Sequence, residues 1–568
     1  MSPLAILVIA LALVIAGVLA LRLHAFLTLI VAALVVAALT PGAAIQRHEM
    51  TKNEVRIAEV LPGGTAAVAS DRRKSLSPGT AYEVFRIVQG EKPVKIGSVI
   101  AGDAAPSPPP VPGKPPQPTR RMEVRDMEAG QQMAAGDWVI APALARAAEK
   151  ISKETIGRRV AEGFGRTALD IGILIAMASI LGSCLMAARG AERIVFSLQR
   201  AIGRERTPLA FLASGFLLGI PMFAEAVFYL LLPLAKALWM QSRQHYVLLV
   251  LSIVAGATMT HSLVPPTPGP LFVADAMGID IALMMRQGAI VGIVAALAGY
   301  AYARWADRRW AIPLRLSAAA AVEDSAAVPA ITSLSETGAG LPPLIWSLLP
   351  ILLPVILISA DSALESSDWG LPPWLVQAIH VVGDKNLALT LSAAASLVLL
   401  ACHASGANKA EKIRGTIRES IVEAGEIILV IAAGGALGAT LRQAGMAELA
   451  SAAVPEWKLM LLPIAWGITA IVRVAQGSAT VAMITAVGII GPIALAENLP
   501  FHPVYVAVAI GCGSKIGMWM NDSGFWVISR MTGMNEVETL RTASAMVFIE
   551  GCVGLAMTML LASLWPLV

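Results

Sequence analysis

The chain has 568 residues, 56% of them hydrophobic and 14% charged, with a mean hydropathy of +0.70. A soluble domain carries about 25% charge, so this composition excludes a soluble enzyme and describes an all-α polytopic membrane protein in contact with lipid. The net charge of +4 is too small to point to nucleic acid, and four scattered cysteines (Cys184, Cys402, Cys512, Cys552) form no metal spacing and no disulfide framework, so no metal and no cofactor is expected.

Two apolar runs at 3–21 and 25–41 open the chain, separated by Arg22-Leu23-His24; they read as retained spans within a first segment of residues 1–45. From 46 to 141 the sequence turns polar and alternating (EVRIAEV, AYEVFRIVQ, VKIGSVIAG), with Pro62-Gly63-Gly64, Pro78-Gly79 and Gly136-Asp137 as turns. This predicts a small β-rich insert. Its Pro-rich part, 104–118, reads as an extended linker. Residues 143–166 read as an amphipathic helix leading to a span near 169–188. A basic amphipathic stretch follows at 189–206, then an apolar hairpin at 208–240 broken at Gly219-Ile220-Pro221 and carrying Glu225. The next span, 246–279, is interrupted at 261–269, and another at 281–303 closes the segment 142–310. An Ala-rich polar linker covers 311–341.

The second half, 342–568, repeats this order. Spans at 342–361, 385–402 and 421–440 precede an amphipathic stretch at 442–456 and a long apolar region at 459–496. A span over 504–530 is interrupted at 517–524, and a last span covers 543–566. The region 459–496 is too long for one span of about 20 residues and suits two half-spans meeting at a polar tip. That tip is Arg473-Val474-Ala475-Gln476-Gly477-Ser478-Ala479-Thr480. Backbone that leaves the helix at membrane depth persists only where protein or a water-filled cavity satisfies it. Each half therefore reads as five spans with a re-entrant hairpin and a broken helix. Five is odd, so the second half is inverted relative to the first, the pattern of a secondary transporter with its site at the repeat interface. The Lys and Arg clusters at span ends (Arg22, 189–206, Arg304/Arg308/Arg309, Lys409/Lys412/Arg414/Arg418, Arg541) fall on one side in this count. That side is the cytoplasm, which puts both termini and the insert outside.

Four motifs, RVAQGSATVAM at 473–483, VPPTPGP at 264–270, NDSGFW at 521–526 and GFLLGIPMFAEAVFYLLLPL at 215–234, closely resemble the gluconate:proton symporter family of bacterial permeases. The resemblance covers about 1–41 and 140–568. It implies transport of gluconate, related sugar acids or D-serine. The wider ion transporter superfamily implies a homodimer in the bacterial inner membrane, with a scaffold and a mobile part working as an elevator. The insert at 46–141 has no counterpart in the family, and Thr267 stands where many members have a His.

A sugar-acid carrier must hold a carboxylate and several hydroxyls, and half-helix N-termini with exposed backbone N–H groups suit the carboxylate. Ser262, Thr267, Ser478, Thr480 and Asn521 offer hydrogen bonds to substrate; Gly269, Gln476 and Gly477 lie at the same breaks. Arg473 either neutralises the substrate or pairs with an internal acid. Coupling to a proton needs a group that titrates inside the membrane, for which Glu225, Asp522 and His261 are the candidates; Glu423 and Glu426 are weaker, and Lys515 reads as an internal ion-pair partner of Asp522 or Glu225. A sodium-coupled carboxylate or D-serine carrier is the alternative. A membrane-embedded hydrolase is a rival of another class, but no GxSxG, HExxH or paired catalytic aspartates appear.

Overall fold

The computed structural model describes residues 2–19, 21, 23–51, 55–61, 66–70, 76–88, 91–105, 119–203, 206–242, 244–310, 312, 340–366, 371–403, 409–445, 459–496, 499–520 and 522–567. They fall into two compact units.

The first unit joins Met1–Leu13, Ile30–Gly163 and Ala436–Ala452. Its centre is a closed barrel of six antiparallel strands: β1 (Arg56–Val60), β2 (Ala66–Ser70), β3 (Ala81–Arg86), β4 (Val94–Ala105), β5 (Thr119–Met127) and β6 (Trp138–Ile140). The spatial order is β1-β2-β5-β4-β3-β6, and pairing of Arg56 with Trp138 completes the ring. Alternation in sequence builds it, because successive side chains of a strand face opposite sides. Ile57, Val84, Ile96, Val99, Met122 and Val139 fill the inside. Closure leaves no edge strand to pair with another chain. Arg86 makes two bonds to the buried Asp137, at 3.0 and 2.8 Å, and this contact raises the guanidinium pKa above its ordinary value. Met50, Phe85, Trp138, Ile140, Ala145 and Ala148 form a second cluster that seats α3 (Gly42–Thr51) and α4 (Pro142–Ser152) on the barrel. Residues 106–118, within the expected Pro-rich linker, lie outside the described residues.

The membrane helices differ from the sequence expectation in number. Among the described residues seven helices are long and apolar enough to cross a bilayer, or eight if one bent pair is a single span, against ten expected. The difference lies at α1 (Pro3–Leu19, 17 residues), α2 (Ala25–Leu39, 15 residues) and the broken span after Val504, whose pieces are short of about 20 residues. After Leu39, Thr40 folds its hydroxyl back onto the Val36 carbonyl at 2.7 Å, and Pro41 lets α3 leave at 99°. Other helices outrun their apolar stretches, since Lys, Arg and Glu extend a helix beyond the lipid as readily as Leu does. The expected 169–188 is α5 (Ile156–Ala187); the expected 421–440 is α15 (Lys409–Gln443).

The second unit joins Val14–Leu29, Phe164–Gly435 and Ala453–Val568. In it α6 (Gly190–Ile202) precedes a helix pair, α7 (Thr207–Leu218) and α8 (Ala224–Ser242). A broken helix follows, α9 (Tyr246–Leu263) and α10 (Pro268–Ala276), and then α11 (Ile281–Arg309). Next come α12 (Leu344–Ser366), a short helix the sequence did not announce, α13 (Pro373–Gly383), and α14 (Lys385–His403). The second helix pair is α16 (Leu461–Gln476) and α17 (Ala479–Ala496). Its broken helix is α18 (Val504–Gly513) and α19 (Ser523–Thr532). The last, α20 (Glu536–Leu564), contains one π-helical turn at Leu540–Ser544. The expected amphipathic stretch 442–456 and the linker 311–341 lie mostly outside the described residues. The core is α9 and α18: all ten residues of α18 are buried. Gly256 lets α7 lie directly on α9, since a Cβ there would strike the Leu212 carbonyl.

Candidate functional site

The four interruptions of the helices converge. Between α7 and α8, Gly219–Phe223 forms the first tip, and Glu225 stands in the first turn of α8, where the helix dipole favours an anion. At the second tip Gly477 closes α16 with φ +75°, its N–H on the Arg473 carbonyl at 2.9 Å. That left-handed conformation strains any residue with a side chain. Ser478 then caps α17, its Oγ accepting from Val481 N at 3.4 Å.

The broken helices complete the site. Thr267 closes the first break by donating to the His261 and Val264 carbonyls, at 2.9 and 2.8 Å. In the second break Asp522 caps α19, accepting from Gly524 N at 2.7 Å. Trp519 Nε1 donates to the Val474 carbonyl at 3.2 Å, tying the break to the hairpin arm.

Between these pieces lies a cavity of about 260 Å³. Glu225, His261, Arg473, Gly477, Ser478, Thr480 and Asp522 line it, so seven of the residues singled out in the sequence come together. Phe223, Phe228, Val430, Ile484 and Met518 supply apolar wall. The others stand elsewhere. Ser262 is fully buried with no partner for its hydroxyl among the described residues, Thr267 is occupied in its turn, and Gly269 is where α10 meets the Met483 side chain. Asn521 and the side chain of Gln476 lie outside the described residues.

The charges are arranged in two sets. Arg473 is buried; its terminal nitrogens bond the Gly477 carbonyl and the Asp522 carboxylate, while Nε has no partner among the described residues. Of the two roles open to Arg473, the structure shows the internal pair. Lys515, 4% exposed, also lines the cavity, yet makes no ion pair or hydrogen bond among the described residues. The expected ion pair of Lys515 with Asp522 or Glu225 is thus not formed, because Asp522 already faces Arg473. His261 is buried, its Nδ1 without a partner among the described residues and its ring 5.4 Å from that of Phe223.

Sequence reasoning passed over two further groups. Thr258 lines the cavity and donates to Val254 O at 2.8 Å or to Glu550 Oε2 at 3.2 Å. Glu550, on α20, is fully buried, and its other oxygen has no hydrogen-bond partner among the described residues. A lone acid in the apolar run FIEGCVG was the available signal. Glu426, ranked low in the sequence, also lines the cavity. Among the described residues no group of three or more His, Cys, Asp or Glu could hold a metal ion.

Comparison with known proteins matches this architecture to one family. Residues 137–564 match the model of the GntP family permeases. The chain is 32% identical to an uncharacterized permease of Haemophilus influenzae over 70% of its own length and 81% of that protein's. It is 31% identical to the gluconate permease of Pseudomonas aeruginosa (72% and 88%) and 28% identical to a high-affinity gluconate transporter of Escherichia coli (70% and 87%). The matched region takes in both helix pairs, both broken helices and every residue of the cavity wall. The chain belongs to the GntP permease family and is a multi-pass membrane transport protein, not an enzyme.

Proposed function

We propose that this protein is a secondary active transporter that takes up gluconate or a related sugar acid together with a proton, by an elevator-type alternating-access cycle. The observation that carries the reading is the cavity, whose wall is built from the interrupted helices of both halves. The recurring order of helix pair, broken helix and long helix, over 207–309 and again over 461–564, supports an inverted repeat. Gluconate is what the Pseudomonas and Escherichia relatives are named for. A volume of about 260 Å³, or roughly nine waters at ~30 Å³ each, suits one small polar solute.

Charge balance supports the proton. Leaving aside Glu426, whose side chain is solvent-exposed, Arg473 and Lys515 match Glu225 and Asp522 across the cavity wall when the site is empty. A sugar-acid monoanion adds one negative charge inside a low-dielectric wall, and a buried uncompensated charge is costly. A proton on Glu225, the carboxyl with no cation paired to it, restores neutrality. His261 and Asp522 are the lesser candidates, Asp522 because it is held by Arg473. Ser478 and Thr480 hydroxyls meet the substrate at the second tip.

In the same reading the protein works as a homodimer in a bacterial inner membrane. Residues 1–45 enter the membrane first, 46–141 form an extracytoplasmic insert, and 142–310 and 342–568 are repeats joined by a cytoplasmic linker at 311–341. Purified protein in liposomes tests it: an inward proton gradient should drive accumulation of labelled gluconate. Uptake driven at fixed pH by a sodium gradient would replace the proton with sodium. Absence of uptake of gluconate, related aldonates and D-serine under both gradients would sink the reading.

A further inference from the structure

We infer that Lys515, and not Arg473, is the cationic anchor for the carboxylate of the transported acid. The inference rests on the sugar-acid reading and deepens it. Both terminal nitrogens of Arg473 are committed within the protein, to the Gly477 carbonyl and to Asp522. Using Arg473 as the anchor would take a partner from Asp522 and leave that carboxylate buried alone. Lys515 carries no such obligation: it is buried at 4% exposure, it lines the cavity, and among the described residues it has no ion-pair or hydrogen-bond partner. Glu550, Glu225 and Asp522 are near enough to act on its charge, yet among the described residues none is in contact with it, so a ligand carboxylate would supply the direct acceptor it lacks.

Its position is fixed from behind. Lys515 stands in the second break with Gly551 of α20 packed against it: a Cβ on Gly551 would come within 3.2 Å of Lys515 Cβ. Glu550, the next residue, is turned to Thr258 at 3.2 Å and acts on the Lys515 charge without an ion-pair contact among the described residues. The small residue at 551 thus leaves room for the Lys515 Cβ against α20, and the lysine lines the cavity, where Ser478, Thr480 and Thr258 stand to receive hydroxyls. Glu550 is here a positioning residue.

The test compares two ligands that differ only in charge, gluconate and gluconamide, binding to the purified full-length protein in nanodiscs. Wild type should prefer the acid. Lys515→Met should lose about 10- to 100-fold in gluconate affinity, the worth of a charge-assisted hydrogen bond, and little in gluconamide affinity, so that the preference collapses. Lys515→Arg should restore most of the preference, which a purely structural lysine would not predict. Should the methionine variant fail to fold, Lys515→Gln carries the same comparison. On wild type itself, gluconate but not gluconamide should slow acylation of Lys515 by an amine-directed reagent, read by mass spectrometry. A Lys515 variant that keeps the wild-type preference, or acylation unchanged by gluconate, overturns the anchor while leaving the transporter standing. Wild type that binds neither ligand overturns the sugar-acid reading instead.

Discussion

Replacing Asp522 by Asn separates its two duties. The side chain accepts from Gly524 N as the cap of α19 and pairs with the Arg473 guanidinium. Asn caps a helix as well as Asp does, so the α19 start should survive. The pair should not: an amide presents hydrogen toward Arg473, and the guanidinium is left without its anion. Both side chains are almost out of solvent, at 7% and 3% exposure, so water and salt screen little of the loss. Breaking one side of such a pair costs about 3–5 kcal/mol. Arg473→Gln should cost a similar amount by orphaning Asp522. The double variant Arg473→Gln with Asp522→Asn pairs two neutral amides and should recover much of it, for a coupling of at least about 2 kcal/mol. The assay is a double-mutant cycle on detergent-purified protein, by thermal or denaturant unfolding. Asp522→Ala, which removes the cap as well, should fall about 1 kcal/mol below Asp522→Asn. A coupling under about 0.5 kcal/mol, the scatter of independent sites, would refute the idea that this pair holds the second tip to the second break.

Three further outcomes follow from the same geometry. Gly477→Ala should destabilise the protein by about 1–2 kcal/mol, the cost of a left-handed alanine, and should lower uptake by tilting the Arg473 contact; unchanged melting and uptake would mean the tip does not need φ +75°. Glu225→Gln should impair pH-driven accumulation of gluconate in liposomes far more than gluconate counterflow, because exchange need not release the proton; equal loss of both would make Glu225 a binding group only. A cysteine at the exposed Glu128 of the insert, in a chain cleared of its four native cysteines, should react with a membrane-impermeant maleimide on intact cells; labelling only after lysis would reverse the orientation.

The second tip was legible because its chemistry is local. Gly, Ser, Thr and Arg stand within eight residues of one another in an otherwise apolar stretch, and such residues at membrane depth break helices or serve ligands. The two interruptions were legible for the same reason: a proline run at 265–268 and an Asn-Asp-Ser-Gly run cannot continue a helix. The β-rich insert announced itself by alternation, which needs only neighbouring residues, whereas closure of its strands into a barrel depends on pairing between distant ones and was not legible. What stayed hidden depends on separation in sequence. Arg473 and Asp522 are 49 residues apart, and Thr258 and Glu550 are 292 apart. Periodicity says nothing about which of several intramembrane charges will face each other. Lys515 therefore passed for an ion-pair partner until Asp522 was seen to be taken. The count of spans missed for another reason. Hydropathy reports where a stretch is apolar, whereas the turn at Thr40-Pro41 and the breaks decide how much of it forms one straight helix.

The contact between Arg473 and the Gly477 carbonyl sets the polarity of the tip. The guanidinium engages the carbonyl at the turn, and the next residues open α17, whose first amide hydrogens have no acceptor within their own helix. The main chain at this point thus hides an acceptor and shows donors. Such a surface favours negative charge in its own right; a side-chain substitution at 480 leaves it in place, whereas one at 478 removes the cap on Val481 N. The backbone would then add to the preference for an anion that Lys515 supplies, and be slow to drift, while the hydroxyls of Ser478 and Thr480 remain at liberty to change which anion is preferred.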